Sequence, residues 1–94
     1  MLRKHRIGFI TQGTEMVASI YAIPASAQSA KKYGIISNLK QKPVWLVREY
    51  SDHMEVWYES IADSFRYPIM KQAKGEIHDA AMKELKKYNQ EDVA

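Results

Sequence analysis

Tyr67-Pro68-Ile69-Met70-Lys71-Gln72-Ala73-Lys74-Gly75-Glu76-Ile77-His78-Asp79-Ala80-Ala81 is the stretch whose reading decides the fold. Proline fixes its own φ and disfavours helix at the residue before it, so Tyr67 is expected to be extended. From about Met70 the apolar residues take helical spacing. Met70, Ala73, Ile77, Ala81, Leu85 and Tyr88 recur every three or four positions and share one face. The pattern predicts a strand that stops near Pro68 and one long amphipathic helix over about residues 71–88, with residues 90–94 fraying. Gly75 would then sit inside that helix, where it costs about 1 kcal/mol relative to alanine. A glycine there implies close approach of another backbone, with residues 60–65 the expected neighbour.

Upstream of this stretch the period changes to two. Residues 7–11 and 15–23 read as strands around a Gln12-Gly13-Thr14 turn, and Pro24 ends the second. Val44-Trp45-Leu46-Val47-Arg48-Glu49-Tyr50 opens with a continuous apolar run, which suits a central strand covered on both faces. Ser51-Asp52-His53 are turn residues, and residues 54–59 alternate again, giving a second hairpin. Residues 26–33, from Ser26 to Tyr33 before Gly34, have a capping serine and a glycine stop, and fit either two helical turns or a loop. Residues 35–37 are a short strand candidate, and residues 60–67 a loop or a short edge strand. The expected fold is α+β: a small curled antiparallel sheet of four to five strands, built from two hairpins, with one long C-terminal helix packed on it. Such a sheet leaves an edge that must be blunted or paired, and self-pairing into a dimer is a common answer.

The 94 residues make one domain with a modest core. The chain has no cysteine, which excludes disulfides and thiolate metal sites and fits a reducing cytosol. No run approaches a membrane span, and the basic start is followed by an apolar run too short and interrupted for a signal peptide. A cytoplasmic protein is expected. Fourteen Lys and Arg against eleven Asp and Glu leave a net charge of +3, a mild excess that by itself selects no partner.

Pro68-Ile69, four residues, then Lys74-Gly75-Glu76-Ile77-His78-Asp79-Ala80 resembles the C-terminal signature of the stage V sporulation protein G (SpoVG, septation regulator) family. Lys74 stands where that family has an arginine and Tyr67 where it has a histidine. Val17-Ala18-Ser19-Ile20 is similar to its second strand, and Val44-Trp45-Leu46-Val47 falls at its apolar central strand. The likeness is good over residues 60–85 and weak over 15–50. Where the family continues into a Met-Pro-Ser-Lys-Arg-type segment, this chain has Leu46-Val47-Arg48-Glu49-Tyr50, with one base and one acid. The resemblance implies a diverged member: a small homodimer, paired through its sheet, that binds DNA or RNA and regulates expression.

The candidate contacts follow. On the predicted helix, Lys71, Lys74 and Lys86 border the apolar face with His78, either as a solvated edge with snorkelling stems or as a phosphate-contacting ridge. Lys31, Lys32, Lys40 and Lys42 form a second basic group, and Arg3, Lys4 and Arg6 a third. Asp79 and Lys83, four apart, suit a helix-surface ion pair. Trp45, Trp57, Tyr58 and Phe65 are available for base stacking or for a dimer interface. Trp57, flanked by Glu55 and Glu59, suits an oligomer contact better than a nucleic-acid backbone. His5, His53 and His78 form no ligand or catalytic pattern, so no enzyme, metal or cofactor is expected. The competing reading is a protein-binding adaptor or inhibitor, of phage type, that works through its sheet edge.

Overall fold

In the computed structural model, residues 5–36, 42–61 and 67–93 are described, with 5–7 and 88–93 as backbone only. Strand β1 (His5–Gln12) and strand β2 (Glu15–Pro24) form the first hairpin. Gln12 faces Glu15 across Gly13-Thr14, and Gly13 has φ 63°. A tight two-residue turn matched to strand twist requires this left-handed conformation. Strand β4 (Val44–Tyr50) runs antiparallel to β2, from Pro24↔Val44 to Ala18↔Tyr50. Strand β5 (Met54–Ser60) returns beside β4, and Tyr50 N donates to His53 O across the turn at 2.9 Å. Two short strands, β3 (Ile35–Ile36) and β6 (Ile69–Gln72), also pair with β5. The expected α+β architecture is present, with six strands and two helices among the described residues.

The open choice at residues 26–33 resolves as helix α1 (Ala27–Tyr33). Ser26 is its N-cap, extended at φ −64° and ψ 156°, and its hydroxyl accepts from Ser29 N at 3.1 Å. Gly34 ends it in the left-handed region and donates its N–H to Ala30 O. Both signals are the ordinary ones for helix ends.

The decisive stretch departs from its sequence reading. Residues 69–72 are strand, not helix, and helix α2 spans Glu76–Val93. Tyr67 lies in a bend rather than in extended strand, and after Pro68 the chain joins the edge of β5. There Ile69–Gln72 pair with Ser60–Trp57, and Ala73 N donates to Val56 O at 2.8 Å. The backbone partners on that edge outweigh the high helix propensity of Met-Lys-Gln-Ala, which is worth only tenths of a kcal/mol per residue. Gly75 is therefore not inside a helix. It turns the chain into α2 at φ 62°, and its carbonyl accepts from Asp79 N at 3.0 Å. Among the described residues a Cβ at Gly75 would meet nothing within 4 Å, and the positive φ is what calls for glycine; residues 62–65 of the expected neighbouring segment lie outside the described residues. Asp79 lies 3.8 Å from His78 Nδ1 rather than in an ion pair with Lys83. Arg3, Lys4, Lys40 and Phe65 lie outside the described residues.

Strand alternation divides the sheet into two faces. Tyr21, Ile23, Trp45, Val47, Val56 and Tyr58 point to one, where Ala73, Ala81 and Leu85 close a core with Ile35. Ile77, Ala81 and Leu85 thus share a face of α2 as their spacing predicts; Ala73 reaches the same core from the connection after β6, while Met70, in β6, is exposed. Trp45 is 0% exposed and meets Tyr58 edge-on, ring centroids 5.6 Å apart. Each fully buried large side chain of this kind contributes roughly 1.5–3 kcal/mol. Trp45, read from sequence as a dimer contact, is enclosed in its own chain's core. The other face carries Ile20, Leu46, Arg48, Glu55 and Trp57, all half-buried, and among the described residues no helix lies above them.

Candidate functional site

Two carboxylates of α2 hold α1 at its two ends. Glu84 sits on the side of α2 that faces Ser26. Its Oε1 accepts from Ser26 N at 2.6 Å and from Trp45 Nε1 at 3.3 Å, and its Oε2 accepts from Ser29 Oγ at 2.8 Å. An anion at the start of a helix meets unpaired N–H groups and the positive end of the helix dipole, so the placement is favourable. Two helical turns away, Glu76 Oε1 accepts from Lys32 Nζ at 2.5 Å and from Tyr33 Oη at 3.3 Å. The hydrogen bond from Lys32 holds the Glu76 carboxyl below its ordinary pKa, and the carboxylate raises that of Lys32. Here a cation at the C-terminus of α1 meets an anion at the N-terminus of α2, and both dipoles are satisfied.

Between these two clasps the helices flank an open groove of about 530 Å³. Gln28, Ser29, Lys32 and Tyr33 line one wall. Glu76, Ala80, Lys83, Glu84 and Lys87 line the other. The α2 residues are spaced by three and four, one stripe of a helix that begins at Glu76. Starting the helix at 71 hides nothing of this stripe. What the sequence lacks is any sign that α1 lies alongside it.

The helix layer is nearly balanced in charge: Lys31, Lys32, Lys74, Lys83, Lys86 and Lys87 stand against Glu76, Asp79 and Glu84, with Glu91 and Asp92 in the last turns of α2. Glu84 is committed to three hydrogen bonds and Glu76 to Lys32 and Tyr33. Lys83 and Lys87 line the groove with their charge unopposed by either clasp.

The residues singled out from sequence are only partly brought together. Lys32 lines the groove, and Lys31 is exposed beside it on α1. Pro43 O accepts from Ala25 N at 3.0 Å, which brings the backbone at exposed Lys42 next to the entry of α1. Lys71 is half-buried in β6 opposite Tyr58, and Lys74 is exposed in the connection to α2, so neither belongs to a helical ridge with Lys86. Lys86 is exposed on α2 but turned about 60–100° from Lys83 and Lys87, off the groove. Lys83 and Lys87 were the groove residues to find, and their i, i+4 spacing was the available signal.

On the open face Arg48 lies over the Trp57 ring at 4.3 Å, and Trp57 Nε1 donates to Glu55 Oε1 at 3.0 Å. Glu55 Oε2 is 3.4 Å from His53 Nε2, and His53 Nδ1 is 2.8 Å from Asp52 Oδ1. The His53 ring stacks on Tyr50 with centroids 4.3 Å apart. The hydrogen bond from Trp57 is the main cause holding the Glu55 carboxyl low, and Asp52 is the main cause raising His53. Among the described residues no group of His, Asp or Glu is arranged to hold a metal ion, and no helix is long and apolar enough to cross a membrane.

No protein-family model matches this chain, and no curated protein or solved structure does.

Proposed function

We propose that the protein is a non-enzymatic, nucleic-acid-binding regulator that acts as a dimer and meets phosphates with the lysines of its helix layer. The observation that carries this reading is the commitment of the two groove carboxylates. Those at 76 and 84 are engaged in holding α1, which leaves Lys83 and Lys87 on the groove wall, with Lys31, Lys74 and Lys86 exposed on or beside the same helices. Lysine is a point-charge phosphate binder suited to contacts that position a backbone without reading sequence. The likeness of residues 68–80 to the SpoVG signature supports the same function.

Self-association is assigned to the open face. Arg48 and Glu55 stand side by side there around half-buried Trp57, so the face offers both signs of charge and suits a second copy of itself turned by a two-fold axis. The acids on that face oppose a polyanion, so the two faces divide the two tasks. Trp45 takes no part.

Labelled DNA and RNA oligomers titrated at two salt concentrations test the first task. Binding should weaken with salt, and Lys83→Ala/Lys87→Ala should lower the salt slope by about 0.7–0.9 for each phosphate no longer neutralised. Absence of binding at low salt, or an unchanged slope, overturns the reading. Trp57→Asp should yield a monomer by sedimentation, with nucleic-acid affinity weakened but not abolished.

A further inference from the structure

The geometry points to the α1–α2 groove as the seat of a single-stranded segment, with one unpaired nucleotide lodged between the helices. This rests on the nucleic-acid reading above and narrows it to a substrate class. A volume of about 530 Å³ lies within the roughly 300–1,000 Å³ of small-ligand pockets, so a nucleoside fits and a duplex can touch only the lysine rim. The lining matches that occupant in kind. Lys83 and Lys87, on successive turns along the rim, suit neighbouring phosphates of one strand. Below them the Gln28 amide lies outside both clasps, while the Ser26 and Ser29 hydroxyls and the Tyr33 phenol are engaged within them. A base taken out of its stack exposes its Watson–Crick edge, and an amide can pair with it.

Gln28 separates this inference from the general one. It is exposed, lines the groove, and lies outside both clasps. Gln28→Trp fills the space and leaves every lysine in place. Fluorescence anisotropy is read for a labelled single strand and for the matching duplex at one salt concentration. The wild-type chain should prefer the single strand by roughly tenfold. Gln28→Trp should remove that preference while duplex affinity, which also reports that the variant is folded, stays unchanged. Equal affinity of the wild type for both forms, or an unchanged preference in Gln28→Trp, overturns the groove assignment and leaves the lysine surface standing. Displacement of the strand by a nucleoside monophosphate at constant ionic strength assigns the groove to free nucleotides and overturns the strand reading. If neither form binds, the nucleic-acid function falls with it.

Discussion

The two tryptophans sit one register step apart on adjacent strands, in opposite environments. Trp45, on the helix-covered face, is 0% exposed, packs against Tyr58 and donates to Glu84. Trp57, on the open face, is half-buried under the Arg48 guanidinium and donates to Glu55. Each indole N–H has a carboxylate, yet the carboxylates serve different ends. Glu84 ties a helix to the core, so its removal strands a donor away from water. Glu55 belongs to a lateral chain of exposed and half-exposed groups that water can replace. Burial, not the number of bonds, decides what each contact contributes.

The widest gap is expected between the tryptophans themselves. Trp45→Ala should cost about 3–5 kcal/mol, a large share of the roughly 5–15 kcal/mol that holds a domain together. Trp57→Ala should cost about 1 kcal/mol in the monomer, the value of a half-exposed cation–π pair and some area. Denaturant unfolding of both variants measures this, and equal destabilisation would erase the distinction between the faces. The carboxylates sharpen it. Glu84→Ala should cost about 2–3 kcal/mol, because the Trp45 N–H and the start of α1 lose their acceptor together. Glu84→Gln keeps one acceptor oxygen and should recover part of that stability. A Glu84→Ala melting temperature within about 4 °C of wild type, the equivalent of less than about 1 kcal/mol, would mean that α1 does not depend on this clasp.

The strands at 15–24, 44–50 and 54–60 were legible because alternation, proline stops and turn residues all agreed, and so was the helix from Ile77 onward, whose core face includes Ala81 and Leu85. The start of that helix was not. Met70 and Ala73 fit its period by coincidence, and the edge of β5 that captures residues 69–72 is a tertiary feature that local spacing does not encode. The groove was hidden for the same reason: Ser26, Glu84 and Trp45 are far apart in the chain, and nothing in their spacing announces a shared hydrogen-bond centre. Gly75 tests the corrected boundary. With φ at 62° and no neighbour near a Cβ, Gly75→Ala should cost about 1–2 kcal/mol from backbone strain alone, with Gly75→Asn milder. A raised melting temperature for Gly75→Ala would return residue 75 to the helix interior, where alanine is the better residue.

The smallest effect separates the faces by pH. On the helix side Glu76, held low by Lys32, stabilises the fold above its ordinary pKa of 4.5 and stops doing so as pH falls through the lowered folded value. Asp52 and Glu55, held low by His53 and Trp57, behave alike, so acid weakens both faces. His53 runs the other way. Its pKa is raised above 6.5 by Asp52 first and then Glu55, so its contribution is complete below 6.5 and disappears as pH rises through the folded value. Among the described residues with shifted groups, only the open face therefore weakens between pH 6.5 and the lysine range. The turn should be tightest between about pH 4.5 and 6.5. His53 is solvent-exposed, so the change is small, best followed through the amide resonances of residues 50–55. His53→Gln should flatten that upper limb and leave the acid limb intact. An upper limb that persists in His53→Gln would place the titrating group elsewhere and detach the open face from pH.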